Sequence, residues 1–150
     1  MLTSAETQTL TEYKTEKYFD INEALRNDDF TDEVEVIDDI MSKSVIDEGV
    51  VLYRGTSLYA MDLDEDEDYT GEIITDRAFM STTAKKHLAA RKFYRGLLLI
   101  IEAPAGTHAA EPEEILFENE DEVILDRDLE LEVIEDNCDE DERVMRVRVI

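Results

Sequence analysis

Tryptophan is absent from this sequence, cysteine occurs once, proline twice and glycine five times in 150 residues, and basic side chains are outnumbered 15 to 40 by acidic ones. Each scarcity excludes something. A lone cysteine, Cys138 in an acidic stretch, rules out a disulfide framework, gives no expectation of a metal-binding cluster, and suits a reducing compartment. Low glycine and proline with 43% apolar residues argue for a folded chain, although a net charge of -25 would push a less apolar one toward disorder. Long apolar runs are missing too: the longest, Leu97 to Ile101, is far short of the roughly 20 residues that span a bilayer. Met1 to Leu10 lacks a basic start followed by an apolar stretch, so no secretory leader is expected and the expected location is cytoplasmic. The shortage of positive charge disfavours nucleic-acid and membrane partners and favours basic proteins. It also fits the solvated surface of a salt-adapted protein, or a nucleic-acid mimic.

At 150 residues the chain is expected to form one domain, 1–150, with residues 1–10 as a flexible start. Thr9-Leu10-Thr11-Glu12 reads as a capping box, and Tyr18, Ile21 and Leu25 recur at helical spacing, which predicts a helix up to Arg26. Thr31-Asp32-Glu33 opens a second helix with Val36, Ile37, Ile40 and Met41 apolar and Lys43 at its end. Val50-Val51-Leu52-Tyr53 is a β-branched, apolar strand ending in Arg54-Gly55-Thr56, and Asp62 to Asp68 is a solvated loop. A short strand from Ala78 then hands Ser81, Thr82 and Thr83 to a helix over residues 84–94, where three hydroxyls either cap the helix or serve a site. Leu97 to Ile101 is a buried strand stopped by Pro104-Ala105-Gly106, followed by a mostly polar loop over residues 108–114. Two alternating segments, Leu129 to Val133 and Met145 to Val149, form a hairpin across an acidic turn. His87 falls on a helix surface and His108 in a loop.

The stretch Phe117 to Leu125 sets Glu120 and Glu122 two residues apart at the mouth of an apolar strand. In an extended chain both point to one face with Cα atoms about 6.6 Å apart, close enough for two carboxylates to divide the chemistry of one substrate. The same spacing recurs at Glu33/Glu35, Glu65/Glu67, Glu111/Glu113, Glu118/Glu120, Glu130/Glu132 and Glu140/Glu142. What distinguishes Glu120/Glu122 is its setting, with Phe117 ahead and Val123-Ile124-Leu125 behind.

Taken in order, Tyr53-Arg54-Gly55, Phe79-x-Ser81-Thr82-Thr83 and Glu120-x-Glu122-Val123-Ile124-Leu125 resemble the three signatures of mono-ADP-ribosyltransferases, a strand arginine, a Ser-Thr-Ser motif and Glu-x-Glu. Tyr18-x-x-Ile21-Asn22-x-x-Leu25-Arg26 is similar to a further pattern of that family, so the resemblance runs from Tyr18 to Ile150. It implies an α+β fold of two antiparallel sheets packed nearly perpendicular, with flanking helices, NAD as substrate in the cleft between them, and no metal.

By the same resemblance Glu122 faces the positive charge that builds on the anomeric carbon as nicotinamide leaves, where a fixed carboxylate favours the transition state. Glu120 orients and deprotonates the acceptor, because a guanidinium is a poor nucleophile unaided. A Glu at this first position goes with arginine acceptors in the family, and a Gln with asparagine or cysteine. Arg54, with Gly55 beside it, is implied to fork the pyrophosphate, for which its planar shape is suited. Ser81 is implied to hold Arg54 and Glu122 in register, and Thr82 to support the strand beside the cofactor. Tyr18 and Asn22 would form the nucleotide wall, Phe93 and Arg95 a phosphate-and-nicotinamide loop, and Phe117 would meet the protein substrate or else lie in the core. Thr83 departs from the motif's second serine but keeps a hydroxyl. The expectation is a monomeric transferase acting on a protein arginine, with bacteriophage or halophile members as natural sources. An NAD glycohydrolase would use the same Arg54, Ser81 and Glu122, and an acidic non-catalytic binding protein is the reading from another class.

Overall fold

A computed structural model of the chain describes residues 3–13, 18–90, 96–110, 122–138 and 142–150. Three helices come first, α1 (Ser4–Glu12), α2 (Tyr18–Arg26) and α3 (Asp32–Ser42), and one further turn, α4 (Lys86–Leu88), lies among the strands. The strands are β1 (Val50–Thr56), β2 (Ile73–Thr75), β3 (Met80–Thr83), β4 (Leu97–Ala103), β5 (Ala109–Ala110), β6 (Glu122–Leu125), β7 (Glu130–Asp136) and β8 (Arg143–Val149).

The described part of the chain start is helical from Ser4. Thr3 and Glu6 form a reciprocal capping box, the Thr3 amide donating to Glu6 Oε1 at 2.9 Å and the Glu6 amide to Thr3 Oγ1 at 3.1 Å. Thr9, expected to cap, lies inside α1 with its hydroxyl on the Ala5 carbonyl at 3.1 Å. Both stretches carry the Thr-x-x-Glu pattern, and the earlier copy is the one followed by a full helix. Glu6 then reaches Lys43 Nζ at 2.7 Å, which fastens α1 to the end of α3. Among the described residues no helix is long and apolar enough to cross a membrane.

The helices α2 and α3 bury one apolar face each. Ile21, Leu25, Val34, Ile37, Ile40 and Met41 pack with Tyr13, Phe79, Ala110 and Ile124, while Val36, expected inside, lies at the margin of that cluster. A second cluster joins Leu52, Leu99 and Ile101 to Met80 and Leu125 and to Leu131, Val133, Met145 and Val147, with no described member from α1, α2 or α3. Its residues come from all eight described strands, and Met61 and Tyr69 from the loop after β1 pack with them.

Among the described residues the sheet has eight strands, in the order β2-β7-β8-β4-β1-β3-β6-β5. Two separate antiparallel sheets were expected; the strands instead form one hydrogen-bonded ladder, because β1 serves both groups. It pairs with β4 along its whole length, Val50↔Ala103 to Thr56↔Leu97, and with β3 through Tyr53↔Thr83. Pairing is not antiparallel throughout either, since β4 and β8 run parallel from Leu97↔Arg143 to Glu102↔Arg148. The expected hairpin is β7 and β8. β2 and β5 sit at the two sheet edges, β5 in a stretch expected to be loop and β2 in one for which no element was expected; at three and two residues they are too short to show an alternating pattern.

Candidate active site

Strand order brings the motifs together. β1 carries Arg54 and Gly55, its neighbour β3 carries Ser81, Thr82 and Thr83, and the next strand, β6, starts at Glu122. Register aligns them: Thr83 lies opposite Glu122, Thr82 opposite Val123 and Ser81 opposite Ile124. Directly opposed residues of an antiparallel pair share a face, and alternate residues do too, so Ser81, Thr83 and Glu122 lie on the side of the buried Ile124, toward the helices. Thr82 lies on the other face, where its hydroxyl donates to the Val123 carbonyl at 2.6 Å and ties β3 to β6. The three hydroxyls therefore belong to a strand. Thr83 makes a local turn contact, accepting from the Lys85 amide at 3.1 Å, and Lys85, the N-cap of α4, makes no side-chain cap bond.

Arg54 is held more tightly than its motif suggests. Its Nη1 donates to the Ser81 carbonyl at 3.2 Å and its Nη2 to Asp76 Oδ2 at 3.4 Å, with the side chain 10% exposed. Burial pulls its pKa down, and the Asp76 carboxylate opposes that. Asp76 is itself fully enclosed. It also accepts from Arg26 Nε at 3.3 Å and Arg26 Nη2 at 3.0 Å, and from the Ala78 amide at 3.0 Å. Sequence reasoning missed Asp76: one of 40 acidic residues carries no local mark, and its importance comes from two arginines 50 and 22 positions away.

Tyr13 was missed as well. Its ring is wholly buried edge-on against Phe79, centroids 5.9 Å apart, and its hydroxyl accepts from Asn22 Nδ2 at 2.9 Å. Burial pushes the phenol up to about 12, partly offset by hydrogen bonding with Asn22 and Ser81 and by the Arg54 charge, while the Glu122 charge adds to the rise. One buried phenol thus senses three motif residues. Two polar atoms in this region, Asn22 Oδ1 and Arg54 Nε, are buried without a hydrogen-bond partner among the described residues, one an acceptor and the other a donor.

Of the other expected site residues, Gly55 is half-buried in β1 opposite Leu98, and Tyr18 is the first residue of α2. Phe93, Arg95, Phe117 and Glu120 lie outside the described residues. His87 is exposed, and His108 pairs with Val45 in a β-bridge with its Nδ1 2.7 Å from the Met41 carbonyl. Contrary to the expectation drawn from a lone cysteine, Cys138 meets Asp68 and Asp136 with ligand-type atoms all within 4.8 Å of one another. Asp136 is nevertheless engaged already, by Arg143 Nε at 3.1 Å, Arg143 Nη2 at 2.8 Å and the Tyr69 amide at 3.0 Å, so an arginine supplies the cation there.

Comparison with known proteins agrees with this arrangement. The family model described as ADP-ribosyltransferase exoenzyme matches residues 1–148. No curated protein matches the sequence. Among solved structures, Plx2a, an ADP-ribosyltransferase toxin from Paenibacillus larvae, superposes with a TM-score of 0.81 at 20% identity, covering 99% of this chain and 87% of that one. The C3 exoenzyme of Clostridium limosum gives a TM-score of 0.79 at 23% identity, with 99% and 86% covered. BECa, the ADP-ribosylating toxin of a binary enterotoxin of C. perfringens, solved with NADH, gives 0.77 at 21% identity, covering 99% of this chain and 44% of that one. With one model spanning nearly the whole chain and the strand arginine, Ser-Thr-Thr and Glu122 set on adjacent strands, this protein belongs to the ADP-ribosyltransferase exoenzyme family, whose substrate is NAD.

Proposed function

We propose that the protein transfers ADP-ribose from NAD to an arginine side chain of a protein target and releases nicotinamide. The observation that carries this is the adjacency of β1, β3 and β6, which places Arg54, Ser81 and Glu122 on three neighbouring strands. The buried donor Arg54 Nε and acceptor Asn22 Oδ1, both unpartnered, fit a polar ligand that satisfies them. Glu122 supplies the fixed negative charge beside the ribose as the bond to nicotinamide breaks. Glu120, through the motif alone, supplies the carboxylate that orients and deprotonates the acceptor guanidinium. Arginine as acceptor rests on this first glutamate of Glu-x-Glu.

The remaining expectations join the same reading. The sheet works as two halves set at an angle about the β1 and β3 junction, where the pairing is Tyr53↔Thr83, with NAD in the cleft between them. The enzyme acts as a monomer in the cytoplasm of the producing or infected cell, and its acidic surface favours basic targets. The test is to incubate the purified protein with labelled NAD and a cell lysate and to locate the label by mass spectrometry. ADP-ribose on arginine is the expected result. Label on asparagine or cysteine overturns the acceptor assignment, and nicotinamide release without labelled protein makes the enzyme a glycohydrolase.

A further inference from the structure

Resting on the NAD-cleaving reading above, we propose that Asp76 is the positioning residue for Arg54, setting the guanidinium's place and direction before NAD binds. Asp76 lies in none of the four motifs. Its carboxylate is completely enclosed and takes hydrogen bonds from three directions: Arg26 at the end of α2, Arg54 on β1, and the Ala78 amide on the approach to β3. Its own carbonyl accepts from the Asp128 amide at 3.0 Å, which anchors it to the turn after β6. Asp76 is therefore tied to α2 and β1, to the approach to β3 and to the turn after β6.

The short segment from Asp76 to Ser81 supplies both acceptors for Arg54, a carboxylate oxygen for Nη2 and the Ser81 carbonyl for Nη1. Two fixed acceptors at the two ends of a planar fork define both its position and its plane. The Ser81 hydroxyl takes no part in those two bonds. One carboxylate also serves two guanidinium groups, so the Arg26, Asp76 and Arg54 cluster keeps one net positive charge in a protein of net charge -25. That surplus is what an anion such as a pyrophosphate meets. Without Asp76 the nearly buried Arg54 would face the half-buried Arg26 with no carboxylate between them, and of its two described acceptors Arg54 would keep the Ser81 carbonyl.

The test separates positioning from simple charge balance. Removing Asp76 alone risks misfolding through repulsion of the two arginines, so Asp76→Asn is made in the Arg26→Gln background and compared with Arg26→Gln itself, with thermal melting to show that both are folded. Asparagine keeps the shape and the bond from Ala78 but removes the charge. NAD affinity by calorimetry is expected to be at least about tenfold weaker in the double variant than in Arg26→Gln, with KM raised more than kcat is lowered. Asp76→Glu, which keeps the charge but moves it by one methylene, should also weaken NAD binding. Arginine side-chain NMR gives a readout that needs no NAD: slow rotation of the Arg54 guanidinium in the wild type and in Arg26→Gln, and fast rotation in the double variant. Equal NAD affinities in Arg26→Gln and the double variant, or wild-type affinity in Asp76→Glu, would overturn the positioning role alone. Failure of the wild type to bind NAD would overturn the functional reading, and this proposal with it.

Discussion

Arg54, Arg26 and Tyr13 are each engaged by other residues of the protein, and this sets what a substitution does. Arg54→Lys replaces a fork that spans Asp76 Oδ2 and the Ser81 carbonyl with one ammonium that cannot hold the same geometry. A buried acceptor is then left short of a donor, at a cost of about 1–3 kcal/mol. The expected outcome is a lower melting temperature together with weakened NAD binding; an unchanged melting curve would show that Arg54 does not brace the segment from Asp76 to Ser81. Tyr13→Phe makes a narrower test. It keeps the ring packed against Phe79 but strands the Asn22 amide, so roughly 1–3 kcal/mol should be lost, readable by denaturant titration. Because burial pushes the phenol up to about 12, Tyr13 stays protonated at neutral pH and acts as a hydrogen-bond partner for Asn22.

Among the elements, those legible in the sequence were the ones with a period and the continuous apolar runs of β1 and β4. Ile21 and Leu25 marked α2, Ile37, Ile40 and Met41 marked α3, and alternation marked β7 and β8. What stayed hidden depended on distance or brevity. β2 and β5 are edge strands of three and two residues, and α1 was lost between two competing Thr-x-x-Glu patterns. The motifs picked out Arg54, Ser81 and Glu122, although Ser81 was expected at a helix start rather than in β3, and the carboxylate that holds Arg54 could not be picked from 40 candidates without the fold. The acidic loop after β1 teaches the same lesson. It reads as solvated, yet Arg143 on β8 enters beneath it, donates to the carbonyls of Asp64, Glu65 and Glu67, and pairs with the enclosed Asp136. Arg143→Leu should leave that carboxylate buried without its cation, at about 3–5 kcal/mol. Faster proteolysis within residues 62–68 is the expected local sign, and a loop that stays protected would show that Arg143 does not organise it.

The whole molecule carries a net charge of -25, and NAD is an anion. At low ionic strength the bulk field opposes substrate binding, and the Debye length shrinks from about 30 Å at 0.01 M to about 3 Å at 1 M salt. KM for NAD should therefore fall as salt rises across that range; a steady rise would mean that the local arginine contacts dominate. Acid acts on the fold through Glu6, whose pKa is lowered to about 2, first by Lys43 and then by the Thr3 amide. A lowered folded value means stability that is present above the ordinary 4.5 and is lost as pH falls toward 2, so Glu6→Gln should flatten the fall in melting temperature over that window. The central claim, transfer of ADP-ribose to arginine by two glutamates with separate tasks, is tested most directly by measuring nicotinamide release and protein labelling side by side in the wild type, Glu120→Gln and Glu122→Gln. Loss of the charge at Glu122 should depress both activities at least about a hundredfold, while Glu120→Gln should abolish labelling of arginine and leave slow nicotinamide release to water. Equal loss of both activities in Glu120→Gln, or full activity in Glu122→Gln, would contradict it.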